Sequence, residues 1–276
     1  MTNKHQSSRL TSQHKKSQGV VGIFGAKAHI HDTSVGKVSD LVLKRLQADF
    51  PHLSFRYRTH IDKAEINQAL QRMDQKLGNT LFVADSNIKP DGGIIEVKDR
   101  QNTWRVVLIS EAKFQGKDIE NIQNGKLVGK NSNKDLMLAG NAIERAHKNI
   151  AEFANYMLGE SYFPYVLFLE GSNFLTRTIT VKRPDGRKVT LDYTSGFLNR
   201  LDRLTAANYG MSINTNLCEN KFIKNQGRMI MLQAASIFTP GNGKRWKETE
   251  MFRIMLDIAK TSVRVLGNDL LSTVTK

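Results

Sequence analysis

The sequence predicts an α/β protein whose mixed sheet is covered by helices on both faces. Three observations lead there. Short β-branched and aromatic runs are continuous or alternate in steps of two; longer stretches repeat their apolar residues every three or four positions; and the two kinds of segment alternate along a chain of 276 residues.

From Ser34 to Phe50 the residues Val35, Val38, Leu41, Val42, Leu46 and Phe50 fall at helical steps, which predicts a helix with one buried stripe. From Thr80 to Phe114 the period shortens. TLFVA, GGIIEVK and WRVVLISEAKF read as adjacent antiparallel strands, divided by turn formers at Pro90 to Gly93 and Asp99 to Thr103. The stretch from Asp118 to Asp135, rich in Lys, Asn and Gly, has no period and reads as a loop or arm. Leu136 to Leu158 predicts a long helix with Ile143, Ile150, Phe153, Ala154 and Met157 on one side. YVLFL, from Tyr165 to Leu169 between Pro164 and Gly171, predicts a strand buried on both faces. TITVKRPDGRKVTLDY alternates about a Pro-Asp-Gly turn and predicts a hairpin from Thr178 to Tyr193. A helix around Gly196 to Asn208, a strand from Met229 to Phe238 and a helix from Trp246 to Ala259 complete the reading.

The length suits one compact domain, expected over residues 18–276, preceded by a flexible basic arm at 1–17. Forty-one Lys and Arg against 26 Asp and Glu leave a net charge of +15, whose field attracts polyanions, with nucleic acid the leading partner. No run of 18 apolar residues exists, so no membrane partner is expected. The single cysteine, Cys218, excludes an internal disulfide and a cysteine-based zinc cluster, and fits a cytoplasmic setting. The N-terminal MTNKHQSSRLTSQHKK is basic but lacks the apolar core of a secretory signal.

Candidate chemistry has to be chosen among two Pro-Asp-Gly and three Glu-x-Lys triplets. Asp185 sits at a hairpin tip, where Asp and Gly serve the turn. Glu219 and Lys221 fall in a polar stretch without strand period and read as loop residues. Glu96 and Lys98 follow Asp91 too closely on one strand to converge on a shared ion, and read as a wet face. Glu111 and Lys113 lie on a strand that the Asp99 to Thr103 turn folds back beside the one following Asp91. Two apart, they share a face, with Ala112 pointing the other way. Two carboxylates and a backbone carbonyl are hard ligands suited to Mg²⁺, and an ammonium beside them can orient water and offset phosphate charge. The same spacing also describes an ordinary solvated strand face. The lead-in VVLIS weighs against that, because it sets charged groups at the end of a buried strand. No HExxH spacing or phosphate-binding glycine loop is present, Ser110 and Ser172 lack triad partners, and His147 reads as a packed helix residue.

In GNAIERAHKN, from Gly140 to Asn149, residues Asn141, Glu144, Arg145 and Lys148 share one helical face opposite the apolar one. Asn, Glu and Arg can read base edges in a major groove, and Lys148 suits a phosphate. The bland alternative is an exposed face with a Glu and Lys four apart. Arg200 and Arg203, three apart on a predicted helix, suit guanine or phosphate, or an ion pair with Asp202. The residues by themselves leave three classes open: a site-specific nuclease, a sequence-specific DNA-binding protein without catalysis, and a structure-specific nuclease.

PDGG at 90–93, SEAKFQGKD at 110–118, GNAIERAHKN at 140–149, FPYVLFLEGSNFL at 163–175 and LNRLDRLTAANYGM at 198–211 together resemble the EcoRI-like type II restriction endonucleases, within the broader PD-(D/E)xK nuclease family. The resemblance spans nearly the whole chain. It implies a central five-stranded mixed sheet with helices on both faces and DNA-wrapping arms. It implies a catalytic set of Asp91, Glu111 and Lys113, with Asp91, Glu111 and the Ala112 carbonyl as Mg²⁺ ligands and Lys113 near the attacking water. Met137, Gly140, Asn141, Ala142, Glu144 and Arg145 match the recognition segment, continued by Lys148 and Asn149, and Arg200 and Arg203 match a second recognition element. Gln115, Lys117 and Lys130 fall in one basic segment, and Arg183 to Lys188 in another, that would wrap the duplex. The implied substrate is double-stranded DNA at GAATTC, cut between G and A to leave 5′-phosphates, by a homodimer paired in the cell with a cognate DNA methyltransferase. One departure is Leu138, where a small residue is expected; it bears on flanking preference.

Overall fold

A computed structural model describes residues 26–78, 86–126, 140–192, 221–225, 227–232 and 235–270. Along the chain these form α1 (Ala26–Asp49), β1 (Phe55–Arg58), β2 (Ile61–Asp62), α2 (Lys63–Met73), β3 (Asn87–Ile88), β4 (Ile94–Lys98), β5 (Trp104–Phe114), α3 (Asp118–Gln123) and α4 (Gly140–Tyr156). There follow β6 (Tyr165–Glu170), β7 (Ile179–Lys182), β8 (Lys188–Leu191), β9 (Lys221–Asn225), β10 (Arg228–Leu232), β11 (Ser236–Phe238), α5 (Glu248–Val265) and α6 (Gly267–Leu270).

The main sheet has the order β1-β4-β5-β6-β11. Its first three strands are antiparallel, while β6 runs parallel to β5 and β11 parallel to β6, so the sheet is mixed and five-stranded as expected. The β4–β5 turn follows from its sequence: Asp99 Oδ1 accepts the amides of Gln101 and Thr103 at 2.9 and 2.8 Å, and Asn102 takes the left-handed conformation at φ 62°. Successive residues of β5 face opposite helices. Ser110 meets Ser39 of α1, and Glu111 meets Asn149 of α4. Helices α1 and α5 pack together on the first face and α4 lies on the second, backed by α2.

Among the described residues, thirty-seven buried apolar side chains form the main core, centred on β5 and β6. A separate small core joins Ile122 of α3 to Leu175 and to Val181 and Leu191 of the β7–β8 hairpin. The described part of the expected arm from Gln115 is thus packed, through Ile119 and Ile122, against the β7–β8 hairpin that carries the other.

The structure corrects several local readings. The first helix begins at Ala26 rather than Ser34, and Leu41 is 48% exposed, outside the buried stripe of Val35, Val38, Val42 and Leu46. Asp118 starts a helix of six residues within the expected loop, held down by Ile122. The expected strand from Met229 to Phe238 is two: β10 pairs with β9 in its own hairpin, and β11 joins the main sheet. Lys221 accordingly starts a strand instead of lying in a loop. Glu96 lines no wet face. It is fully buried, 2.6 Å from Arg56 Nε and 3.5 Å from Arg58 Nη1. His147 is exposed, not packed. The expected strand at 80–84, the helix at 196–208 and the basic arm at 1–17 lie outside the described residues.

Candidate active site

Pro90 to Gly93 forms a tight turn, closed by Gly93 N–H donating to the Pro90 carbonyl at 3.1 Å, with Asp91 in its first central position. The turn is tied down on both sides. Gly92 N–H donates to Ser110 O at 2.9 Å and Ser110 N–H to Gly93 O at 3.1 Å, while Ser39 Oγ of α1 donates to Gly92 O at 2.6 Å. Gly93, at φ +76°, could carry no side chain: a Cβ there would lie 2.2 Å from the Tyr57 hydroxyl.

β4 ends its pairing with β5 at Ile109, so among the described residues β5 runs on past the turn with only β6 beside it. The backbone groups of Ser110 point toward the turn, and strand alternation aims those of Ala112 to the same edge. Glu111 and Lys113 project from this overhang onto the α4 side. Lys113 Nζ lies 2.6 Å from Asp91 Oδ2 and 2.5 Å from Glu111 Oε1, so the three residues chosen from sequence converge on one point. Side-chain exposure rises from 0% at Glu111 through 17% at Lys113 to 24% at Asp91, which makes Glu111 the floor of the site and Asp91 its rim.

Two further groups hold Glu111, neither of them singled out for this from sequence. The Tyr165 hydroxyl donates to Oε2, and Asn149 Nδ2 reaches Oε1 and Oε2 at 3.0 and 3.1 Å. Burial pushes the Glu111 carboxyl above the usual glutamate range, against the pull of Lys113. Burial opposes charge on Lys113 too, but the flanking carboxylates more than offset it and hold its ammonium above the ordinary lysine value. Tyr165, wholly buried beside Glu111, is raised well above the usual phenol range.

The donor set fits a hard divalent cation. Two carboxylates already converge on a positive group, and strand alternation turns the Ala112 carbonyl toward the edge where the Asp91 turn lies. Among the described residues no cluster of three His, Cys, Asp or Glu competes as a metal site.

Helix α4 carries the expected DNA contacts past this site. Gly140, Asn141, Ala142 and Glu144 lie in its first turns; Arg145 and Lys148 are exposed, while Ala146 and Ile150 are buried behind them. Asn149, the next residue, is turned inward onto Glu111. Gln115 and Lys117 are half-buried just beyond β5, Gln115 N–H donating to Glu170 O at 2.9 Å. Lys130, Met137, Arg200 and Arg203 lie outside the described residues. No helix among the described residues is long and apolar enough to cross a membrane.

Residues 17–273 match the family described as restriction endonuclease EcoRI. The chain is 65% identical over 275 residues to the type II restriction enzyme EcoRI of Escherichia coli, covering 100% of this chain and 99% of that one. It is 48% identical over 267 residues to the type II restriction enzyme RsrI of Cereibacter sphaeroides, covering 97% of this chain and 96% of that one.

Proposed function

The chain belongs to the EcoRI family of type II restriction endonucleases, and from that membership we propose that it is a Mg²⁺-dependent homodimer cutting double-stranded DNA at GAATTC, between G and A. The convergence of Asp91, Glu111 and Lys113 at the open end of β5 is the observation that carries this reading.

Asp91 Oδ2, Glu111 Oε1 and the Ala112 carbonyl would hold the cation. Magnesium, when bound, supplies a Lewis acid that polarises the scissile phosphate and makes bound water more acidic. Lys113 Nζ, beside both carboxylates, would orient the attacking water and offset charge on the phosphate. Water attacks phosphorus, the P–O3′ bond breaks, and the products are a 5′-phosphate and a 3′-hydroxyl. Burial of Glu111 under Tyr165 and Asn149 keeps the inner wall of the site fixed before DNA arrives.

Arg145 and Lys148, exposed on α4 with Asn141 and Glu144 on the same helix, supply the chemistry to read base edges and grip phosphates. Arg200, Arg203, Met137, Gly140 and Ala142 complete the proposed readers, with Gln115, Lys117 and Lys130 in a wrapping arm. A palindromic site suits a two-fold dimer. An enzyme that cuts so common a sequence requires protection of host DNA, so a cognate methyltransferase acting in the same cytoplasm is part of the proposal.

The test separates cutting from binding. Glu111→Gln and Lys113→Ala should lose Mg²⁺-dependent cleavage, by about a thousandfold or more if the charge on the phosphate goes uncompensated, while retaining binding to a GAATTC duplex. Full cleavage by either variant would remove that residue from the catalytic set; a wild-type protein that binds but never cuts would be a DNA-binding protein without catalysis.

A further inference from the structure

On the reading that Asp91 and Glu111 hold a divalent cation, we infer that Tyr165 is a positioning residue, whose hydroxyl turns one oxygen of Glu111 inward and leaves the other to face the cation. The two oxygens of Glu111 have different surroundings. Oε1 lies on the side shared with Asp91, 2.5 Å from Lys113 Nζ; Oε2 accepts the Tyr165 hydroxyl. Asn149 Nδ2 straddles the pair.

A glutamate side chain has three rotatable bonds, and the last is broad and two-fold, so nothing in its own covalent structure fixes which oxygen faces outward. Tyr165 supplies that constraint from a rigid base. It opens β6, pairs with Ile109 of β5 and has no exposure; its ring lies 5.8 Å from both the Phe153 and Phe163 rings. Phenylalanine would fill the same space, so the hydroxyl is not there for packing. A fully buried phenol needs a polar partner, and the partner here is the carboxylate at the site's floor. With Oε2 engaged, Glu111 offers the cation one oxygen rather than two. One-oxygen coordination suits the small octahedral Mg²⁺, whereas Ca²⁺ readily takes carboxylates two oxygens at a time.

The experiment titrates Mg²⁺ and Ca²⁺ by calorimetry into wild-type, Tyr165→Phe, Asn149→Ala and Asp91→Asn proteins, each bound to a GAATTC duplex with a non-hydrolysable scissile linkage. Melting temperature and metal-free duplex affinity are recorded alongside. In Tyr165→Phe the Mg²⁺ affinity should fall about tenfold, the scale of lost contacts behind a metal ligand, the Ca²⁺ affinity should fall less, and metal-free duplex affinity should stay the same. Asn149→Ala should also weaken Mg²⁺. Unchanged Mg²⁺ affinity in Tyr165→Phe would overturn the inference, as would a uniform loss of both ions together with duplex binding and melting temperature, which describes a packing role only. If wild-type and Asp91→Asn complexes take up divalent ions equally weakly, the metal site itself is misread, and that failure is distinct from a wild type that binds Mg²⁺ tightly and a Tyr165→Phe variant that matches it.

Discussion

At the scale of residues, Asp91 owes its place to its neighbours. Gly92 is clamped between Ser39 and Ser110, and a Cβ on it would lie 2.3 Å from Ser110 Oγ and 3.0 Å from Val35 Cγ2. Gly92→Ala should therefore push the turn off β5. We predict about a hundredfold loss of cleavage, the scale of a 1 Å misplacement, measured as kcat on a GAATTC duplex whose affinity for the protein is retained. Asn141→Ala belongs to the same scale: site binding should weaken by about 1–3 kcal/mol and nonspecific binding much less, and an equal loss on both DNAs would remove Asn141 from the readers. Asp91, Glu111 and Lys113 were legible because a turn motif and a strand period each left a mark in the sequence. Tyr165 was not, since a tyrosine opening an apolar run reads as core; the unanswered question of where a buried hydroxyl finds its partner was the available signal. The inward turn of Asn149 was hidden for the same reason that Lys148 was plain, namely that one residue's step around a helix changes solvent for protein.

Elements whose periodicity is long or whose turns are marked, α1, α4, α5, β4, β5, β6 and the β7–β8 hairpin, follow from the pattern. The misses have physical causes. α3 has six residues and one buried side chain, too little for any period to show. β10 and β11 merge because no Gly, Pro or Asn interrupts the residues from Met229 to Phe238. Glu96 sits dry because Arg56 and Arg58 reach it from the neighbouring strand β1, a cross-strand compensation that no local pattern encodes. At the start of α2, Glu65 accepts the Asp62 amide at 3.1 Å and takes both terminal nitrogens of Arg58 at 2.6 and 3.0 Å. Partial burial would raise its pKa, but these donors outweigh it and hold the carboxyl below the usual glutamate range. A depressed carboxyl pKa gives stability that is present above the unfolded value and lost as pH falls through the folded one. Glu65→Gln should thus melt lower than wild type at pH 7, by about 1 kcal/mol for a partly exposed pair, and the gap should close on acidification below about pH 4. A gap that persists in acid would assign the effect to packing.

For the whole molecule, the +15 charge and the exposed Arg145 and Lys148 of α4 would, on the proposed function, make phosphate contact the main source of affinity. Raising salt from about 50 to 200 mM should weaken duplex binding a thousandfold or more, the scale for six or more phosphate contacts, whereas salt-insensitive binding would leave the charge without a role. On the proposed reading, the overhang at the end of β5 and the helix beside it would let one chain present readers and cutters together: α4 bears Arg145 outward and Asn149 against Glu111. The most direct measurement of the central claim is Mg²⁺-dependent digestion of two linear duplexes that differ only by a single GAATTC, with the cut ends sequenced. Only the site-bearing duplex should be cut, between G and A on both strands, leaving 5′-phosphates; specific cutting at another sequence, or no cutting by folded protein bound to the duplex, would contradict the proposed function.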